Sequence, residues 1–307
     1  MKIHEVLENH GVVLTEAAVI ESLRRSGDIA LHPRLENALL IYDGAGQSAL
    51  TSLYQGFISV ARKGGIPITI CTPTWLANHE RLAEARITHD VNGDAVGFLK
   101  RLRNEWKPSD LNPIFIGGLI GCKNDCYKPE NALMVGEAKA FHAWQINQLA
   151  KAGVDFLLAA TLPALSEATG IALAMAETNI PYIISFVISR HGGILDGNSL
   201  ERAFDKIDAA CDKPPLGYMI NCAYPSFLNA HKQPKSVFDR LIGFQANASS
   251  LDHRELDGAG TLHADKISDW GSQMIALNRR FGVTILGGCC GTTCEDLQYL
   301  VDHIHDE

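Results

Sequence analysis

The chain has 307 residues, of which 46% are hydrophobic, and its formal net charge is −8. An acidic chain without runs of Lys or Arg lacks a surface for binding phosphates, which excludes nucleic acid as a partner. Residues 1–13 lack the apolar core of a signal peptide, and no apolar stretch is long enough to span a bilayer. The sequence therefore predicts a cytoplasmic protein with no membrane partner.

Short apolar runs rich in β-branched residues recur along the chain, and helical patterns separate them. In chain order these runs cover residues 11–15, 67–72, 112–118, 154–161, 181–188, 216–223, 241–248 and 283–290. Nearly continuous apolar runs are typical of strands buried on both faces of a parallel sheet. Eight strand–helix units favour an α/β fold, a single (β/α)8 TIM-type barrel in which residues 1–307 form one domain. An open doubly wound sheet is the alternative.

The intervals between the runs carry amphipathic patterns that predict helices. Three clear examples are residues 135–153, 199–211 and 264–282, and Ser199 has the side chain expected of an N-cap. The interval 16–66 is long, which predicts additional helical structure after the first strand.

Polar and thiol side chains fall where the predicted strands end. The active sites of such barrels lie at the carboxyl ends of the strands, so these residues are the candidates for chemistry. In chain order they are Glu16, Thr72, Thr74, Thr161, Asn221, Cys222, Asn247, Cys289 and Cys290.

Three of these candidates are cysteines. Cys222 ends the sixth run, and Cys289 and Cys290 end the eighth within the glycine-rich segment "GGCCGTTC". Strands six and eight are two apart in a barrel, so the three thiolates can converge. Three soft ligands with an open fourth position are typical of a catalytic zinc site. Zn²⁺ with three thiolates carries one net negative charge, which suits activation of a substrate thiol better than activation of water. The competing interpretation is that the vicinal cysteines fill a tight corner of the core.

Several motifs together resemble the homocysteine S-methyltransferase family. "GGCCGTT" (287–293) and "INC" (220–222) are similar to its zinc-binding signature. Further similar segments are "KAGVDFLLAATLP" (151–163), "IISFVIS" (183–189), "LDGNSLERA" (195–203) and "CTPTW" (71–75). The resemblance covers most of the chain, and the cysteine motif is its most specific part.

The resemblance implies a barrel in which Zn²⁺, held by Cys222, Cys289 and Cys290, binds homocysteine or a related thiol. The thiolate then takes a methyl group from a small donor, so the implied partners are two small molecules. Further residues expected to contact the substrate are Glu16, Thr74, Thr161, Ser185, Asn221 and Asn247. For Ser185, Asn221 and Asn247, a polar group satisfied inside the barrel is an equal alternative.

Two departures from the family pattern concern the acids that hold the substrate ammonium. Thr15 stands where the family has Asp, and Ala160 stands where it has Glu. Glu16 is the candidate replacement, and a solvated glutamate at a helix start is the alternative. A buried ammonium without an acid is costly. The departures therefore leave open a different thiol acceptor, or a relative that binds thiol and zinc without catalysis. A zinc lyase or hydrolase on the same barrel is disfavoured by the thiolate ligands.

The remaining candidates receive structural predictions. Cys122 and Cys126 are predicted to be free thiols, and Cys294 to pack at a helix start. Trp75 lies near the pocket rim, where it either stacks on a cationic donor or packs. The histidines at 253 and 263 lie in a polar loop and receive no role. The sequence leaves open the methyl donor and the oligomeric state, a homo-oligomer included.

Overall fold

A computed structural model describes residues 1–106, 112–252, 255 and 263–306. Its eight parallel strands form a closed barrel in chain order, and the last strand pairs with the first. The strands are β1 (Val13–Thr15), β2 (Ile68–Cys71), β3 (Ile114–Ile120), β4 (Phe156–Leu162), β5 (Tyr182–Phe186), β6 (Gly217–Ala223), β7 (Leu241–Ala246) and β8 (Ile285–Gly288). The predicted (β/α)8 barrel is confirmed, and the open sheet is wrong because β8 pairs with β1 through Val13 and Leu14.

Helices fill the intervals between the strands. They are α1 (Ile3–Asn9), α2 (Ile20–Ser26), α3 (Gly44–Gly64), α4 (His79–Glu84), α5 (Val91–Trp106), α6 (Val135–Ala152), α7 (Leu165–Ala176), α8 (Leu200–Ala210), α9 (Lys235–Phe238), α10 (Ile267–Phe281) and α11 (Cys294–His303). Within the described ranges, none of them has both the length and the apolar character needed to cross a bilayer.

The helix predictions are confirmed where their patterns were clear. The predicted helices at 135–153, 199–211 and 264–282 correspond to α6, α8 and α10. The Ser199 side chain accepts a hydrogen bond from the backbone N–H of Arg202 and so caps α8. The long first interval contains α2, a 3-10 segment at 38–42 and the 21-residue helix α3.

The hydrophobic core has two main parts, one inside the barrel and one between the sheet and the helices, and a third, smaller cluster includes Leu35, Leu82 and Val91. The inner part draws on residues near the amino ends of strands, such as Phe115, Phe156 and Ile285, together with Ile3 and Val6 of α1. Polar side chains occupy the other end of the strands instead. Apolar packing therefore closes one end of the barrel, and the carboxyl end is left for a site.

Candidate metal centre

The three cysteines of the predicted site converge at the carboxyl end of the barrel. Cys222 lies near the end of β6, and Cys289 and Cys290 directly follow β8. Their sulfur atoms all lie within 4.8 Å of one another. Cys222 and Cys289 are paired as a disulfide with their Cα atoms 5.5 Å apart, and Cys290 is a free thiol. When reduced, these three sulfurs lie close enough together to serve as soft ligands for one metal ion.

The backbone departs from regular strand geometry at the places that bring these sulfurs together. Cys222 has a φ of +53°, and the pairing of β6 with β7 shifts register between Asn221 and Ala223. A left-handed conformation at a non-glycine residue costs about 1–2 kcal/mol. After β8, Gly291 has a φ of +83°, a conformation open to glycine at little cost. The chain thus accepts local strain at Cys222 and relies on glycine beside Cys290.

Asn221 connects the cysteine cluster to two neighbouring strands. Its Oδ1 accepts hydrogen bonds from the Thr161 N–H at 2.9 Å and from the Ser185 hydroxyl at 2.7 Å. Its Nδ2 donates to the Thr161 hydroxyl at 2.8 Å and to the Cys222 sulfur at 3.3 Å. An N–H donor to the sulfur fits a thiolate ligand, because partners of this kind orient metal ligands. Every hydrogen-bonding position of the Asn221 amide is therefore used.

A cavity of about 340 Å³ opens beside the cysteines, and all three line it. Much of its wall is apolar. The apolar lining residues include Ala17, Ala18, Val19, Pro73, Leu119, Leu158 and Ala160. The wall also contains the ion pair of Arg24 with Glu36 at 3.0 Å, and Glu21 of the wall pairs at 2.7 Å with Arg25, which lies outside the lining. The arrangement suits a small, partly apolar molecule that reaches the sulfur atoms at one end.

Glu16 is the one acid of this cavity that has no cation beside it among the described residues. Its carboxylate accepts a hydrogen bond from the Cys71 N–H at 2.8 Å, and only 8% of the residue is exposed. Burial raises the pKa of the Glu16 carboxyl to about 8, although the Cys71 hydrogen bond acts in the opposite direction. The alternative of a solvated helix-start glutamate is wrong, because the side chain is buried. The raised pKa means that the neutral carboxyl is favoured near neutral pH unless a cation lies beside it.

The other predicted substrate contacts divide into two groups. Thr161 and Asn221 line the cavity, as does Trp75, whose indole N–H is buried without a partner among the described residues. Thr74, Ser185 and Asn247 lie outside the lining. The Thr74 hydroxyl contacts Thr72 and the Leu119 carbonyl. The structure therefore does not bring Thr74, Ser185 and Asn247 together with the cysteines at the cavity surface, although Ser185 contacts Asn221.

The remaining cysteines are separate from the cluster. Cys122 is a free thiol, as predicted, and it is buried with its thiol donating to the Asn124 carbonyl at 3.2 Å, whereas Cys126 is half-buried in the same segment. Cys294 begins α11, and its sulfur lies where a side chain at Gly56 of α3 would be, so its packing role is confirmed. His263 lies in the described part of the chain, and residue 253 lies outside it.

Among the polar cavity residues that the sequence analysis did not predict, Glu21 and Gln245 lie beside the segments that carry the cysteines. Glu21 in the first turn of α2 accepts a hydrogen bond from the Gly291 N–H beside Cys290. Gln245 lies on β7, between the two strands that carry the cysteines, and also lines the cavity. The only sequence signal for Gln245 is a single amide within an otherwise apolar strand. For Glu21 the signal is the acidic first turn of a helix, which is common in proteins without any functional role.

The structure defines the class of protein: a (β/α)8 barrel with a cysteine cluster at the carboxyl ends of its strands. Comparison with known families identifies the family within this class. The model of the homocysteine S-methyltransferase family matches residues 13–304. The chain belongs to this family.

Two curated relatives carry selenium-related names. A selenocysteine methyltransferase of Astragalus bisulcatus is 24% identical over 72% of this chain, and a selenocysteine Se-methyltransferase of Brassica oleracea var. italica is 27% identical over 50%. The matched regions span 64% and 45% of the lengths of those two proteins, less than two thirds in both cases.

Solved structures of the homocysteine methyltransferase MmuM from Escherichia coli are similar to the fold. Its metallated form has a TM-score of 0.72 at 18% identity and covers 97% of this chain and 98% of that chain. Its oxidised form has a TM-score of 0.70 at the same identity, with 96% and 97% covered. At this level of identity the similarity shows that the two chains share a fold.

Proposed function

We propose that this protein is a zinc-dependent S-methyltransferase that methylates the sulfur of a small thiol, with homocysteine as the first candidate. The observation that carries the proposal is the convergence of three cysteine sulfurs within 4.8 Å of one another at a cavity wall. Membership of the homocysteine S-methyltransferase family supports it independently.

Cys222, Cys289 and Cys290 would hold the zinc ion. Three thiolates on one metal are typical of Zn²⁺ among the common divalent ions, and the cavity leaves room for one further ligand from the substrate. When bound, zinc would stabilise the thiolate form of the acceptor and so supply the nucleophile. The anionic ligand set disfavours activation of water, which argues against a hydrolase or lyase on the same barrel.

The surrounding residues have supporting roles in this proposal. Asn221 orients Cys222 through the hydrogen bond from its Nδ2 to the sulfur. Glu16 receives the ammonium group of an amino-acid acceptor, because a cation beside its carboxyl favours the ionised form. The apolar walls limit the access of water to the reacting sulfur. Thr161 contributes to the wall through its contacts with Asn221.

The transfer is a direct displacement. The acceptor thiol releases its proton to solvent, and a sulfur lone pair forms the new bond to the methyl carbon. The bond between that carbon and the donor heteroatom breaks, and its electron pair stays with the donor. A small cationic donor of the onium type becomes neutral in this step, which favours its departure.

A second candidate acceptor is a selenol. The names of the two curated relatives favour it, because both refer to methylation of selenocysteine. A selenol is larger and more acidic than a thiol, but it would use the same cavity and the same metal. The replacement of the expected acid by Ala160 supports a different alternative, in which the chain binds thiol and zinc without catalysis.

The test combines metal content with product analysis. The reduced protein is purified, its zinc is measured, and it is incubated with homocysteine or selenocysteine and with S-methylmethionine or betaine as donors. We expect one zinc ion per chain and a methylated product in the mass spectrum. Cys290→Ser is expected to lose the bound zinc and the methylated product, and the matched control Cys294→Ser is expected to keep both.

Each other outcome has a defined meaning. Zinc and thiol binding without a methylated product for any pair would favour the non-catalytic relative. Product with selenocysteine alone would identify the selenol as the acceptor. A reduced protein that binds no zinc would refute the proposed site.

A further inference from the structure

Gln245 presents to the cavity a carboxamide that has no hydrogen-bond partner among the described residues. The residue lies on β7, paired with Asn221 of β6 and Gly287 of β8, and 9% of it is exposed. It lines the cavity beside the three cysteines. Its side chain makes no hydrogen bond with any residue in the part of the chain that the structure describes. Buried polar groups are nearly always bonded, so an amide turned towards a cavity calls for a ligand.

Several other polar groups around this cavity are already in use, and the Trp75 indole, whose N–H has no partner among the described residues, lies after β2 and outside the barrel strands. All positions of the Asn221 amide are bonded, and Arg24 is paired with Glu36 at 3.0 Å. Asn37 is a second carboxamide of the lining without a bond to a described residue, but it directly follows Glu36 and so lies beside that ion pair. Gln245 is therefore the available side-chain N–H donor on β7, the strand between the two that carry the cysteines.

The ammonium and carboxylate groups of an amino-acid acceptor carry opposite charges, so we expect them to bind different residues of the cavity. The carboxyl of Glu16 suits an ammonium group, and a second carboxylate beside it would be repelled. A substrate carboxylate can accept hydrogen bonds but cannot donate them, so it needs an N–H group. The Gln245 carboxamide offers two such hydrogens and carries no charge that would attract the ammonium away from Glu16.

We propose that Gln245 is a specificity-determining residue whose side-chain N–H donates to the carboxylate of an amino-acid acceptor. The proposal rests on the proposed thiol methyl transfer and extends it to the selection of the acceptor. The site then prefers α-amino-acid thiols or selenols over amines that carry a thiol but no carboxylate. An acceptor without a carboxylate leaves the Gln245 carboxamide without a hydrogen-bond partner, and this loss lowers its affinity relative to that of an α-amino acid.

The test compares two thiols that differ only in the carboxylate: homocysteine and its decarboxylated analogue, an aminopropanethiol. Binding of each to the zinc-loaded protein is measured by calorimetry, and methylation is measured with S-methylmethionine as donor. In Gln245→Met, which keeps the length of the side chain, we expect affinity for homocysteine to fall about tenfold and affinity for the analogue to stay within about twofold. In Gln245→Glu, repulsion should reverse the preference in favour of the analogue.

The outcomes separate this proposal from the proposed function. Equal changes for both thiols in Gln245→Met, or no change for either, overturn the role of Gln245 even when the wild type is an active methyltransferase. The expected split in binding without any methylated product supports Gln245 and refutes methyl transfer. A wild-type protein that binds neither thiol overturns both. Thermal unfolding of each variant verifies that the fold is intact.

Discussion

Asn221 concentrates more contacts of the candidate site than any of the cysteines does alone. It binds Thr161 twice, Ser185 once and the Cys222 sulfur once. Both residues that it fixes at the cavity, Thr161 and Cys222, have positive φ angles, +63° and +53°. Residues held in such strained conformations persist when surrounding contacts determine them. The amide is thus the group that stabilises the strained geometry of one of the three proposed metal ligands, Cys222.

Replacing Asn221 with alanine should weaken metal binding as well as stability. The change leaves the Thr161 N–H and the Ser185 hydroxyl without their partner and removes the donor to the Cys222 sulfur. We expect a loss of about 2 kcal/mol in the free energy of unfolding and a fall in zinc affinity of about 10–100-fold. Urea unfolding and competition with a chromophoric chelator measure the two effects.

Ser185→Ala is the matched control for this prediction. It removes a hydrogen bond to the same amide but does not contact the sulfur. It should lower stability by about 1 kcal/mol and leave zinc affinity within about threefold of the wild type. An equal loss of zinc affinity in both variants would contradict the specific role of the Asn221 donor.

The buried carboxyl of Glu16 makes the free energy of unfolding depend on pH. Its pKa in the folded chain is about 8, above its ordinary value of 4.5, so the folded state binds the proton more tightly than the unfolded state. Stability is therefore full below about pH 4.5 and falls as the pH rises towards 8. Glu16→Gln keeps an oxygen that can accept from the Cys71 N–H and removes the titrating group.

The Glu16→Gln variant should gain stability over the wild type in alkaline solution only. We expect a gain of about 1–3 kcal/mol at about pH 9 and little difference at about pH 5, measured by urea unfolding of the metal-free, reduced protein. Glu21→Gln is the control, because Glu21 lines the same cavity but is paired with Arg25. A gain of equal size at both pH values would show that Glu16 does not titrate as described.

The segment between β3 and α6 forms a wall of the cavity through Cys126 and Tyr127, and one buried carboxylate of α7 holds it. Glu167 accepts hydrogen bonds from the Lys123 N–H at 2.8 Å and from the Leu133 N–H at 3.3 Å. It also contacts His142 Nε2 at 2.9 Å, and both side chains are 1% exposed. A single side chain thus fixes both ends of this segment.

Removal of the Glu167 carboxylate should increase the mobility of residues 122–133, while α7 stays helical. In Glu167→Ala we expect backbone amide hydrogen exchange at Lys123 and Leu133 to accelerate about 10–100-fold, since each N–H loses its partner. Mass spectrometry of exchanged peptides measures the change. Glu177→Ala removes an exposed ion pair with Lys139 from the end of the same helix and should leave the segment unchanged. Unaltered exchange in Glu167→Ala would mean that other contacts hold the wall.

The architecture of the barrel was predictable because its signals are local. Each strand is a short apolar run, and the predicted helices have local end signals: the N-cap Ser199 of α8 and the left-handed glycines Gly153 and Gly282 that end α6 and α10. The cysteine cluster was also predictable, because two strand ends that are two positions apart in a barrel must lie close together. These inferences need only the order of elements along the chain.

Side-chain orientation at the rim was not predictable in the same way. In strands buried on both faces, the hydrophobic pattern does not tell which residues face the interior of the barrel. Gln245 was therefore not distinguished from the other residues of its strand. Thr74 was expected at the cavity, but in the turn after β2 its hydroxyl bonds the Leu119 carbonyl instead. Such turns are set by tertiary contacts with the neighbouring strand, which the sequence of the turn alone does not contain.

The barrel does not depend on the metal for its closure. The ladder of strand pairs is complete from β1 to β8 and back, and the two main parts of the apolar core lie inside the barrel and between the sheet and the helices. The three clustered cysteines lie at the carboxyl rim. Zinc should therefore stabilise a chain that is already folded, in contrast to small metal domains that unfold without it.

Chelation of zinc from the reduced protein should lower the midpoint of thermal unfolding without removing secondary structure. Binding at a hundredfold excess over Kd contributes about 2.7 kcal/mol by mass action, which corresponds to a decrease of several degrees in a chain of this size. The far-ultraviolet circular dichroism spectrum at 25 °C should stay the same, and readdition of zinc should restore the midpoint. Loss of the helical spectrum on chelation would instead show that the barrel needs zinc in order to fold. The cysteine cluster would then be a structural metal site, which would contradict the open ligand position that thiol activation requires.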